Sequence, residues 1–407
     1  MQQQIFLDTA WQIGTTLMKN SIWHAGKKCN WTGTWIEHTG STYQPVVRSF
    51  GPDLYGGTAG IALFLAALYT QTGDALLKQT VTGAVAQIKD NRHAMGDHGF
   101  YSGKPGIAAA LMATGAFLER EDWIQDGLQL LHTIHLGAIG PHETDLISGI
   151  AGSIPLLLEV HAQYAQPNLL DMAIRMGHIL CAQAEKAPQQ WSWRTVPGAR
   201  HLTGFSHGVS GIASALLQLH TATQEPLFLQ AAMYGFNYEQ AHFDTSTNNW
   251  PDFRTTNPAT GKHDCGYAWC HGAPGIALSR LSAASVGPHA HLQAEAATAL
   301  QTTATQLAAT LEQQFNTANY SLCHGLAGNA DVLLASGQAS YQKLAEAVGI
   351  AGIQQYQQRH LPWPSGLPGK QDTPGLMMGI AGTGYFYLRL YDPGKFKTVL
   401  LPQLLAA

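Results

Sequence analysis

Apolar residues along the chain fall into two alternating styles. Segments such as 60–69 (GIALFLAALY), 106–118 (GIAAALMATGAFL), 152–164 (GSIPLLLEVHAQY), 211–222 (GIASALLQLHTA) and 275–285 (GIALSRLSAAS) are apolar nearly all round and almost free of charge. A helix of that kind has to be buried on every side. Between them lie segments with one apolar stripe and one charged face, at 74–90, 119–134, 165–186 and 290–315. Those predict outer helices with a wet face. Each all-apolar segment opens on GxxG, and the motif returns seven times: Gly57–Gly60, Gly103–Gly106, Gly149–Gly152, Gly208–Gly211, Gly272–Gly275, Gly325–Gly328 and Gly379–Gly382. The repeat is therefore an outer amphipathic helix, a loop, a GxxG turn and an inner apolar helix. The glycines themselves are read as structural, supplying positive φ at the turn and close approach of neighbouring helices.

An open solenoid needs polar terminal caps. The seventh inner segment, Gly382–Leu390, is as apolar as the others. A closed ring removes the problem. The expected fold is all-α: an α/α toroid of seven helical hairpins and fourteen helices, forming one domain over 1–407. Two longer inserts, 187–205 and 243–268, are rich in Trp, Pro, Asn and Thr and predict loops set on this scaffold. Their Trp191, Trp193 and Trp250 are expected at the cavity mouth, where they could hold a flexible peptide.

Composition narrows the classes. Charged residues are only 12%, and the formal net charge is −4. That is no electrostatic footprint for nucleic acid or an anionic membrane. A 45% hydrophobic share excludes a disordered chain. The longest uncharged apolar run, Ile61–Tyr69, is far short of the roughly 20 residues of a spanning helix. The N-terminus lacks the basic and long apolar regions of a secretory signal, so the expected location is cytoplasmic. There Cys29, Cys181, Cys265, Cys270 and Cys323 stay reduced, and metal ligation or catalysis is a better reading than disulfides.

Chemistry gathers just before the GxxG motifs. The fifth turn carries Cys270 and His271 before Gly272; the sixth carries Cys323 and His324 before Gly325; the fourth carries His207 before Gly208; the third carries Asp145 before Gly149. In a toroid, equivalent positions converge on one end of the central cavity. Cys270, Cys323 and His324 can then meet as two thiolates and one imidazole, a good set for a zinc ion with its fourth position open. His271 is the alternative imidazole ligand. His207 is in phase with these residues and is the candidate general acid/base, with Asp145 able to orient it. Cys265 reads as a bystander, and Cys29 and Cys181 as structural.

These residues resemble the lanthionine synthetase C-like cyclases. The resemblance rests on the sevenfold GxxG, on WCHGAPG at 269–275, LCHGLAG at 322–328, GFSHGVSGIA at 204–213 and DLISGIAG at 145–152, and it covers nearly the whole chain. The wording is closest to the cyclase module of the class II lanthipeptide synthetases, without their large dehydratase domain, which suggests a free-standing cyclase or an excised module. The resemblance implies an α/α toroid with zinc held by Cys270, Cys323 and His324, His207 as acid/base and Asp145 as the catalytic-site aspartate. It implies addition of substrate cysteine thiols to dehydroalanine or dehydrobutyrine, giving thioether rings in a dehydrated precursor peptide made by a dehydratase partner. Some family members place a basic residue four positions before the first zinc cysteine. Here that position is Gly266, and Arg194, Arg200 or His201 are the substitutes to consider.

Other classes compete. A glycosidase on a helical toroid needs two convergent carboxylates, and the turns show one aspartate. A zinc prenyltransferase adds an aspartate ligand that is not in phase here. A glutathione-adding enzyme, or a zinc-bearing scaffold that binds thiols or peptides, fits the ligand set and differs in what happens to the thiol.

Overall fold

The computed structural model describes residues 2–404 apart from 40–41, 285–288, 314, 316–317 and 369–372. Among the described residues, fourteen α-helices form two concentric rings. The inner ring is α2 (Thr58–Thr72), α4 (Lys104–Phe117), α6 (Ile150–Tyr164), α8 (Val209–Thr223), α10 (Ala273–Ala284), α12 (Leu326–Ala335) and α14 (Ile380–Tyr391). The outer ring is α1 (Gln2–Lys19), α3 (Ala75–Asn91), α5 (Glu121–His132), α7 (Pro167–Gln183), α9 (Pro226–Gln240), α11 (Ala290–Gln313) and α13 (Ala339–Gly352). Each inner helix packs on the next, and α14 returns to α2, so the ring is closed. Every residue from Thr58 to Leu68 is buried, as the unbroken apolar pattern requires.

The phase of the hairpins differs from the sequence reading. Each inner helix packs most extensively on the outer helix that follows it. The last inner helix has no follower, and α1 from the other end of the chain takes that place beside α14. Outer helices start on side-chain caps where the chain provides them: Asp74 accepts from the amides of Leu76 and Leu77 at 2.8 and 3.0 Å. Four antiparallel hairpins decorate the toroid: β1 (Ile22–His24) with β2 (Lys28–Asn30), β3 (Thr32–Thr39) with β4 (Thr42–Ser49), β5 (Glu185–Ala187) with β6 (Gln190–Ser192), and β7 (Pro251–Thr256) with β8 (His263–Cys265). Parts of both inserts expected as loops are thus short sheets.

The GxxG motif has one physical reason in all seven copies. The carbonyl of the residue six before the second glycine lies against that glycine. A Cβ would sit 1.7 Å from the Phe100 oxygen at Gly106 and 1.8 Å from the Leu322 oxygen at Gly328. Close approach, and not positive φ, is what these positions require. Among the motif glycines, only Gly272 is left-handed, at φ +92°. The residues carrying those carbonyls, Leu54, Phe100, Leu146, Phe205, Trp269, Leu322 and Leu376, are all buried.

A buried network ties the fourth and fifth repeats together. Arg280 on α10 pairs with Glu239 on α9 at 2.9 Å and Glu295 on α11 at 2.7 Å, and reaches Ser210 on α8. Glu239 also accepts from the amides of Gly204 and Ser210 at 2.8 and 3.0 Å, which holds the turn between them. That turn carries His207.

Candidate metal centre

The seven turns are sewn to one another by main-chain hydrogen bonds. Tyr55 donates to Tyr101, Tyr101 to Ile147, Leu146 to Ser206, Ser206 to Cys270, Cys270 to Cys323, Cys323 to Met377, and Met377 back to Tyr55, over 2.8–3.3 Å. This belt encircles one end of the cavity. It puts the residue two before each motif in the same place in every repeat. Cys270 and Cys323 are therefore neighbours because the Cys270 amide donates to the Cys323 carbonyl at 3.3 Å.

The ligating atoms of Cys270, Cys323 and His324 all lie within 4.8 Å of one another. Cys323 is buried and Cys270 half-buried. The His324 Nε2 hydrogen bonds to the Gly366 carbonyl at 2.8 Å, which fixes the ring and turns its other nitrogen toward the thiols. A side chain at 366 would press on that imidazole, since a Cβ there would stand 2.9 Å from Nε2. The two cysteines ionise as a coupled pair. Their close approach holds Cys270 well below the usual thiol range and Cys323 well above it. Burial opposes a charge on His324, but its hydrogen bond and the charge of Cys270 raise its pKa. Two soft sulfurs and one imidazole, preassembled and largely shielded, fit zinc with a vacancy in its tetrahedron. His271, the alternative ligand, is not part of the cluster.

His207 and Asp145 meet as well, with Nδ1 to Oδ2 at 2.5 Å. The other Asp145 oxygen accepts from the amides of Ser148 and Gly149 at 2.7 and 2.8 Å. Asp145 is thus both a turn carboxylate and the partner of the imidazole. With Nδ1 held, Nε2 is the nitrogen free to exchange a proton at the cavity. His207 keeps 28% of its side chain exposed, against 4% for Asp145.

Three residues that motif reading did not single out complete the neighbourhood. The Tyr55 hydroxyl donates to the Cys323 sulfur at 3.0 Å and approaches the Met378 sulfur at 3.4 Å. Its signal was phase, since Tyr55 stands two before Gly57 as Cys323 stands two before Gly325. Asp252 and Arg254 come from β7 in the second insert. The guanidinium meets the carboxylate at two points, 2.7 and 3.0 Å, and the Asp252 carboxylate lies 4.0 Å from His271 Nδ1. Burial opposes the Arg254 charge, while Asp252, Cys270 and Cys323 reinforce it. His271 is buried with neither ring nitrogen hydrogen bonded, and burial lowers its pKa. Its ring stacks on His207 at 6.0 Å.

Two expectations are corrected. Trp191, Trp193 and Trp250 are all buried and do not form a peptide-holding mouth. They anchor the inserts instead: Trp193 donates to the Leu180 carbonyl on α7 at 2.8 Å, and Trp191 packs on Tyr234 of α9. The substitutes proposed for a base at 266 also lie elsewhere. Arg200 bonds His242 and covers Phe253, His201 bonds Ser192, and both line a separate 450 Å³ pocket with Arg194. The bystander Cys265 contacts Thr247, while Cys29 and Cys181 are buried thiols pushed up to about 12 by desolvation. All five cysteines are free.

The closed α/α toroid thus carries a Cys–Cys–His cluster and a carboxylate–imidazole pair on one rim. The sequence matches the family described as Lanthionine synthetase C-like protein over residues 48–401, and the chain belongs to that family. Among curated relatives, it is 26% identical over 216 residues to the lacticin 481/lactococcin biosynthesis protein LcnDR2 of Lactococcus lactis subsp. lactis, covering 50% of this chain and 22% of that one. It is 25% identical over 367 residues to the glutathione S-transferase LANCL1 of Danio rerio, covering 84% of this chain and 83% of that one. Among solved structures it resembles nisin cyclase, with a TM-score of 0.63 at 17% identity over 85% of this chain and 90% of that one. Among the described residues no helix is long and apolar enough to cross a membrane.

Proposed function

We propose that this chain is a zinc-dependent cyclase, a single domain over 1–407, acting in the cytoplasm. It adds cysteine thiols of a dehydrated precursor peptide to dehydroalanine or dehydrobutyrine, forming lanthionine and methyllanthionine rings. The observation that carries this reading is the convergence of Cys270, Cys323 and His324 on the same rim as the His207–Asp145 pair.

Cys270, Cys323 and His324 would hold the zinc, which supplies a thiol-binding Lewis acid that keeps a substrate cysteine ionised and nucleophilic at neutral pH. The ring-forming step puts a C–S bond on the β-carbon and leaves an enolate. His207 delivers a proton from Nε2 to the α-carbon, and the proton lost by the substrate thiol restores it. Asp145, pinned by two turn amides, holds His207 in the tautomer and orientation that aim Nε2 at the cavity. A positioned acid of this kind contributes roughly 10²–10⁴ in rate. Tethering of thiol and acceptor in one peptide adds effective molarity. A dehydratase must act first, because the acceptor is an alkene made from serine or threonine.

The test is incubation of the zinc-loaded protein with a dehydrated peptide that carries a cysteine. Loss of free thiol without a change in mass is expected; an unchanged thiol overturns the reading. The similarity to a glutathione S-transferase supports a second reading, addition of glutathione to the same alkene. Its sign is a gain equal to the mass of glutathione when that thiol is supplied.

A further inference from the structure

We propose that Arg254, carried into the site by the β7–β8 hairpin, is a catalytic residue that binds the carbonyl oxygen of the dehydro residue and stabilises its enolate. This inference deepens the cyclase reading and rests on it.

The rim needs such a donor. Attack of the thiolate on the β-carbon moves the alkene electron pair toward the carbonyl, whose oxygen becomes negative until the α-carbon takes its proton. The centre that faces it would offer no net positive charge, since two protein thiolates would already offset a divalent ion. His207 is spoken for, with one nitrogen on Asp145 and the other delivering the proton. No base can be added at 266 without a shift, because a Cβ there would stand 2.9 Å from the His271 carbonyl oxygen.

Arg254 meets the requirement by construction. A continuous chain of contacts leads to it from the site: His207 stacks on His271, His271 faces Asp252, and Asp252 grips Arg254 through Nε at 3.0 Å and Nη2 at 2.7 Å. The Arg254 amide donates to the same carboxylate at 3.0 Å, so side chain and backbone are locked in one small loop. The fork engages only one edge of the guanidinium, and 38% of the side chain is open. Among the described residues Nη1 makes no hydrogen bond. A planar cation clamped on one edge and bare on the other is preorganised for an oxyanion, with no reorganisation during the reaction. The reinforcement of its charge by both Cys270 and Cys323 agrees with that placement. Its neighbour on the strand, Phe253, points away and is covered by Arg200.

The step balances: the S–C bond forms, the π pair rests on the enolate oxygen beside Arg254, and it collapses to a C–H bond with the His207 proton. The experiment uses the zinc-loaded full chain and a synthetic peptide with one dehydroalanine and one cysteine. Arg254→Gln is expected to lower kcat by about 10²–10³-fold, the usual loss of one oxyanion donor. KM, zinc stoichiometry and thermal midpoint stay close to wild type, and Arg254→Lys recovers part of kcat. The α-carbon of the product keeps one configuration in Arg254→Gln, because His207 still delivers the proton, and loses it in His207→Ala. Wild-type rates in Arg254→Gln beside a slow His207→Ala overturn the role of Arg254 and leave the cyclase reading standing. Loss of zinc or of the folded state in both Arg254→Gln and Arg254→Lys also overturns it, by making the residue structural. If the wild-type protein forms no ring, both readings fall.

Discussion

Four consecutive turns of the belt carry Asp145, His207, Cys270 with His271, and Cys323 with His324, while the other three carry Met377, Tyr55 and Tyr101 at the place that Cys270 and Cys323 hold, two before the motif. The main chain does the same thing in both arcs. It donates one amide to the next turn, crosses over a glycine and enters an inner helix. Asp53 and Asp145 show how little the scaffold distinguishes them. Each stands four before its motif and accepts from two turn amides, Asp53 from Gly56 and Gly57, Asp145 from Ser148 and Gly149. Asp145 in addition meets an imidazole. The difference teaches that architecture and chemistry are separable here. The belt sets where a side chain projects, and substitution at that place decides whether the turn presents a metal-ligating or ionisable group.

The comparison breaks most visibly at Cys323. Cys323→Ala is expected to lose zinc and ring formation together, by metal analysis and thiol assay, whereas Tyr101→Phe, in the equivalent place, keeps both. Full activity in a metal-free Cys323→Ala would falsify the metal centre. Next in size are the crossing glycines. Gly106→Ala on the inert arc and Gly328→Ala on the reactive arc each force a Cβ against a carbonyl. Both should cost about 3 kcal/mol or more, seen as matching drops in thermal midpoint. Unequal drops would show that the two arcs are not built alike.

A finer contrast lies between two tyrosines whose rings are 6.4 Å apart. Tyr55 donates to the Cys323 sulfur, and Tyr101 donates to the Val399 carbonyl at 2.9 Å. Tyr55→Phe should weaken zinc binding by about 10–100-fold, as loss of an outer partner usually does. Tyr101→Phe should leave zinc binding alone and cost about 1 kcal/mol of stability. Equal zinc affinity in both variants would remove Tyr55 from the centre.

The smallest effect is one of pH. Burial holds His201, His242 and His271 below the ordinary 6.5. As pH falls below about 6.5 the unfolded chain takes up protons before the folded one, so stability is present above that value and declines with acidification. The thermal midpoint should fall between about pH 7 and 5.5, measured on Cys323→Ala so that metal release does not contribute. His242→Gln should flatten the slope.

Periodicity and repeat phase in the sequence determined the two rings of helices, the closure, and the candidacy of Cys270, Cys323, His324, His207 and Asp145. Burial pattern and position within a repeat are local properties, and a ring of equivalent units converts equal position into nearness. What the tertiary structure alone decided was everything that breaks the repeat. The seventh inner helix finds its outer partner in α1, because closure joins the two ends of the chain. Trp191 and Trp193 turn inward, because large apolar side chains gain more by covering α7 and α9 than by lining a wet mouth. Asp252 and Arg254 come from an insert that has no counterpart in the other repeats, so no phase could announce them; only the path of a hairpin brings the Asp252–Arg254 pair to within 4.0 Å of His271.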